Sequence, residues 1–205
     1  MSKGRLEAFS DGVLAIIITI MVLELKVPHG TTLAALRPLV PVFLTYVLSF
    51  VYLGIYWNNH HHLLHAAQRV NASIMWANLY LLFCLSLVPF VTGWMGENHF
   101  AALPTALYGC VLFMAAIAYR LLQGAIIAEH GRDSVLAAAL GTDFKGKLSI
   151  ALYLVAIGVS FVTPWLAHAL YVIVALMWII PDRRIARRLG NNVAAPSPSD
   201  HPSQR

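Results

Sequence analysis

Apolar residues in this chain come in long unbroken stretches separated by short polar joints. A membrane-crossing helix needs about 20 apolar residues, at about 1.5 Å each, to cover about 30 Å of hydrocarbon. Four stretches meet that length: residues 6–25, ending at Lys26-Val27-Pro28; residues 38–58; residues 72–93, with Pro89 near the outer end; and residues 101–122. A fifth, residues 148–180, is too long for one crossing and is broken at Thr163-Pro164-Trp165. It reads as two short crossings joined by a tight turn, which predicts an all-α integral membrane protein with six transmembrane helices per subunit. The six helices form one unit over residues 1–190. The Pro- and Ser-rich remainder, 191–205, reads as a disordered cytoplasmic tail.

Composition agrees with that pattern. The chain is 59% hydrophobic and 11% charged, with a mean hydropathy of +0.71, against about 25% charged residues in soluble domains. The formal net charge of +5 does not point to nucleic acid, because the basic residues flank apolar stretches. One side collects Lys3, Arg5, Arg69, Arg120, Arg132, Lys145, Lys147, Arg183, Arg184, Arg187 and Arg188; the other holds Lys26 and Arg37. The positive-inside rule then predicts a multi-pass cell-membrane protein with both termini cytoplasmic, its last basic cluster set against lipid headgroups. Cys84 and Cys110 sit inside apolar stretches and read as reduced packing residues. The first stretch lacks a small-residue cleavage site and does not read as a signal peptide.

The first helix carries the most specific chemistry. It opens with Arg5, Phe9, Ser10 and Asp11, and charge at membrane depth is expensive enough to face protein or water. At about 100° per residue, with Ile16 at zero, Thr19 falls near 300°, Ile20 near 40° and Leu23 near 340°. Ile16, Thr19, Ile20 and Leu23 therefore share one face, continued outward by Val27. Such a stripe serves either ordinary packing against neighbouring helices or a hydrophobic constriction between polar mouths, with Glu24 and Lys26 above. Asp11 lies about 140° from Ile16, so it reads as a helix-locking residue that pairs with a donor on another helix. Arg5 and Ser10 are expected in the same network, with Phe9 wedged into the bundle.

The second stretch ends in Trp57-Asn58-Asn59-His60-His61-His62, followed by His65. Neighbours on a helix diverge by about 100°, so His60, His61 and His62 cannot share one ion. Only His61 and His65 share a face, too few ligands for a closed metal site. The histidines read as donors to Asp11 or to lipid headgroups. Asn78, Ser86, Ser149 and Ser160 read as hydrogen-bonding groups between helices, and Gly109, Gly124 and Gly158 as close helix contacts. No selectivity-filter loop, Arg-rich voltage sensor, phosphate loop or nucleophile elbow is present in the sequence, and neither an enzyme nor a cofactor is implied.

The motif Arg5, Phe9, Ser10, Asp11, followed by Ala15-Ile16-Ile17-Ile18-Thr19, resembles the transmembrane protein 175 family, and so does Trp57-Asn58-Asn59-His60-His61. The resemblance implies a potassium-preferring cation leak channel without a conventional selectivity loop, permeable to potassium and other monovalent cations. It implies a homotetramer, as in the family's bacterial channels, with the first helix lining a central pore. One face of one helix cannot surround a pore, whereas four copies can. The family's constriction matches Ile16, its selectivity-linked threonine Thr19, and its next apolar layers Ile20 and Leu23. Arg5 and Phe9-Ser10-Asp11 match the positions that hold the pore helix to its own subunit. The alternative is a proton-coupled or cation transporter using Asp11 and the His60–His65 cluster.

Overall fold

The structure, a computed structural model, describes residues 2–131 and 143–179. The tail expected over 191–205 and the basic cluster Arg183 to Arg188 lie outside the described residues. The elements are α1 (Lys3–Leu23), a 3-10 turn (Leu33–Leu39) leading into α2 (Val40–Ala66), α3 (Ala72–Ser86), α4 (Val88–Glu97), α5 (Ala102–His130), α6 (Phe144–Val159) and α7 (Pro164–Ile179). Helix starts follow local chemistry. Asn71 caps α3 by accepting from Ile74 N at 2.9 Å, and Asp143 caps α6 by accepting from Gly146 N at 3.2 Å. Proline occupies the first turn of α2 and of α4, where its missing N–H costs nothing. Pro89 in the first turn of α4 also explains why the third crossing is two helices meeting at Leu87.

Four helical segments are long and apolar enough to cross a membrane: Lys3–Leu23, Leu33–Ala66, Ala72–Glu97 and Ala102–His130. The expected break at Thr163-Pro164-Trp165 is present, and α6 and α7 flank it as separate helices. Each is described over 16 residues, about 24 Å of helix. Other boundaries differ from the expected ones. α2 and α5 continue past 58 and 122 to Ala66 and His130, because a helix need not stop where its apolar stretch does. The histidine run is thereby helical throughout.

α5 is the central helix. It packs against α3, α4, α6 and α7 and buries Tyr108, Leu112, Ala115, Ala118, Leu122 and Ile126. Two glycines allow close approach. A Cβ on Gly109 would run into the Tyr171 hydroxyl, and one on Gly96 would lie 2.7 Å from the Val42 backbone. Gly124 and Gly158, expected to do the same, have nothing within 4 Å of such a Cβ and are not contact points within the subunit. Midway along the bundle, hydroxyls satisfy one another: Ser49 Oγ lies 2.7 Å from Thr92 Oγ1 and 3.0 Å from Tyr108 Oη. Tyr52 and Tyr171 donate to the carbonyls of Tyr171 and Thr105. Of the expected polar contacts, Ser149 accepts from Trp178 Nε1 across helices at 2.8 Å. Ser86 and Ser160 instead bond carbonyls of their own helices. Cys84 is buried and Cys110 half-buried, both as free thiols.

α1 lies at the edge of this bundle, against α2, α3 and α4. Lys3 Nζ donates to His65 O at one end, and Lys26 pairs with Glu97 at the other. That peripheral seat leaves one whole face of α1 without a partner.

Candidate functional site

The buried residues of α1 are Leu6, Ser10, Leu14, Ile17 and Met21. On the Ile16-zero wheel they cluster near about 120°. The uncovered face is the opposite one and includes Ile16, Thr19, Ile20 and Leu23. Thr19, near about 300°, is diametrically opposed to the buried face. Ile16 is 59% exposed, which eliminates packing within the subunit as the reason for the stripe. Val27, expected to continue the face, lies beyond the end of α1 at Leu23, exposed but outside the helix.

Thr19 Oγ1 lies 3.0 Å from both Ala15 O and Ile16 O. Its single proton is committed to the backbone, which leaves the oxygen lone pairs pointing away from the helix. The stripe thus presents one outward acceptor among branched apolar side chains.

Beneath it, the motif residues divide into two groups. Ser10 is fully buried, donates to Leu6 O at 2.8 Å and accepts from Asn78 Nδ2 at 2.9 Å. Asn78 Oδ1 in turn lies 2.6 Å from a ring nitrogen of buried His60. Three helices are joined by this line: α1, α3 and α2. Asp11 accepts separately from Trp57 Nε1 on α2 at 3.1 Å, so it does pair with a donor on a neighbouring helix, about where its angle requires.

Three expectations need correction. The histidines are expected to donate to Asp11 or to lipid headgroups, but His60 turns inward to Asn78, and Trp57 takes the carboxylate. Phe9 was expected to wedge into the bundle, but it is 49% exposed on the uncovered face. Arg5 was expected in the Ser10 network, but it is exposed and makes no hydrogen bond or ion pair among the described residues. The same wheel accounts for both: Phe9 and Arg5 fall within about 20° of Ile16. His61 is exposed and stacks on His65 with ring centroids 6.1 Å apart, one turn away on the same face. The residue whose importance the sequence did not rank is Asn78. A lone amide inside an apolar stretch was its signal.

Apolar helices of membrane length, an interior stitched by hydroxyl and amide contacts, and a first helix with one uncovered face define a multi-pass helical membrane protein. The family described as endosomal/lysosomal potassium channel TMEM175 matches residues 5–89, the segment holding α1, the Trp57–His65 run and Asn78. A protein of Chryseobacterium sp. named as a potassium channel is 56% identical over 192 residues, spanning 94% of this chain and 100% of that one. The crystal structure of a lysosomal potassium-selective channel TMEM175 homolog from Chamaesiphon minutus is similar with a TM-score of 0.74 at 30% identity, covering 89% of this chain and 97% of that chain. The human endosomal/lysosomal proton channel TMEM175 is 38% identical over 96 residues, 40% of this chain and 19% of its own length. This chain belongs to the TMEM175 family, a family of ion channels and not of enzymes.

Proposed function

We propose that the chain forms a potassium-selective cation channel in which four copies surround a central axis, each contributing the uncovered face of α1. The observation that carries this reading is that face: Ile16, Thr19, Ile20 and Leu23 are left without partners by their own subunit, although packing is the usual fate of such a stripe. In this arrangement Ile16 forms the constriction. Branched apolar side chains offer no oxygen to replace a hydration shell, so they close a path by dewetting it. Thr19, one turn further, supplies the outward oxygen that an ion or its water meets next. Ile20 and Leu23 continue the lining outward. The orientation that follows from the charge asymmetry puts both termini in the cytoplasm, with α6 and α7 completing the six helices and the surface apolar side chains in lipid.

Potassium is the permeant ion that the relatives matching nearly the whole chain support by name. The proton-channel relatives match over 31–40% of it. The transporter alternative is weakened by geometry. The line from His60 through the Asn78 amide to Ser10 ends on the Leu6 carbonyl, which cannot relay a proton onward, and Asp11 is held by Trp57 instead of His60.

The test is bi-ionic reversal potential measured on purified protein in bilayers, with Thr19→Val beside the wild type. Valine keeps the branched shape and removes the lone pairs. The wild type is expected to favour potassium over sodium, and Thr19→Val to lose most of that preference while still conducting. A selectivity unchanged by Thr19→Val removes Thr19 from the ion path.

A further inference from the structure

At its end opposite Arg5, α1 stops at Leu23, and the chain turns away through Glu24 and Lys26. Lys26 Nζ donates to Glu97 Oε1 at 2.6 Å, joining the exit of α1 to the last residue of α4. Glu24 leans the same way. Its Oε2 lies 3.8 Å from where a Cβ on Gly93 would sit, which places the carboxylate beside α4. Both carboxylates open onto one concave surface of about 660 Å³ that also includes Ile16 and Ile20. Charge placed there is continuous with the uncovered stripe. Glu97's hydrogen bond and charge, with Glu24 nearby, hold the Lys26 ammonium protonated above its ordinary range.

We infer that Lys26 sets the supply of cations to the conduction path: it pairs with Glu97 and leaves Glu24 as the carboxylate without an ion pair on that concave surface. The inference rests on the channel reading above. One carboxylate per subunit without an ion pair on the concave surface continuous with the stripe, repeated around an axis, makes a negative collar that raises the local cation concentration. Both partners of the ion pair are largely in water, so the pair adds little to stability. Its removal leaves the fold in place and changes the field. Because the effect is electrostatic, it must fade with salt as the screening length shrinks from about 30 Å at 0.01 M to about 3 Å at 1 M.

The experiment is unitary conductance of the purified full chain in neutral-lipid bilayers, recorded in about 0.01 M and about 1 M KCl. Lys26→Gln is expected to raise conductance about twofold or more at low salt, and Glu24→Gln to lower it, with both matching wild type at high salt. Lys26→Arg keeps the charge and should behave as wild type, and the double variant Lys26→Gln with Glu97→Gln should return towards it. A Lys26→Gln conductance equal to wild type at low salt, or one that differs equally at both salts, overturns the inference while leaving the channel reading standing. A wild type that passes no unitary current at either salt overturns the channel reading and this inference together.

Discussion

Ile16→Asn is expected to raise unitary conductance severalfold and to bring potassium and sodium permeabilities close together. In the proposed tetramer four isoleucines face one another and repel water, and an ion crossing them sheds hydration with nothing in exchange. An amide of similar size both donates to and accepts from water, so the same ring becomes wettable and the barrier falls. The substitution leaves the subunit's own packing almost untouched, because Ile16 contributes little to the core that Leu14, Ile17 and Met21 bury. Assembly and expression should therefore match wild type. Single-channel recording with bi-ionic solutions reads both quantities, and unchanged conductance would remove Ile16 from the constriction.

Asn78→Leu is expected to give the largest loss of stability among single substitutions in the α1 network. The amide is fully buried and serves His60 and Ser10 at once. A buried polar group left unsatisfied costs about 1–3 kcal/mol, and the loss here falls chiefly on His60, since Ser10 still bonds Leu6 O. Unfolding in mixed detergent micelles should show a loss of about that size. Adding His60→Phe should recover part of it, because the orphaned ring nitrogen is then gone. Strictly additive single and double variants would mean that the His60–Asn78 contact carries no coupling.

Much of this arrangement is legible along the chain. Length and apolarity place the four long crossings, and proline at 164 places the turn between the last two helices. Counting 100° per residue separates Ile16, Thr19, Ile20 and Leu23 from Asp11, and it also puts Phe9 and Arg5 on the stripe. Phe9 is read as packing inward, and its wheel position is the better guide. What a single helix cannot reveal is which distant group answers a buried donor. The partner of His60 is Asn78 on α3, and that of Lys26 is Glu97, which lies 71 positions away. Such pairings depend on how helices rotate against one another, set by the summed packing of α5 with its neighbours and not by local pattern. The uncovered state of the stripe is of the same kind: periodicity defines a face, and only the assembled bundle shows that α1 sits at its edge.

The central claim is that the uncovered face of α1 lines the ion path. Cysteine placed at Ile16, compared with cysteine at Val22, tests it directly. Val22 is 47% exposed but turned about 120° from Ile16, on the far flank of the uncovered face. A water-soluble, positively charged thiol reagent applied during recording is predicted to abolish current through Ile16→Cys while leaving Val22→Cys and the wild type, with its native Cys84 and Cys110, unaffected. Current through Ile16→Cys that persists under the reagent, with Val22→Cys blocked or equally inert, would contradict the account.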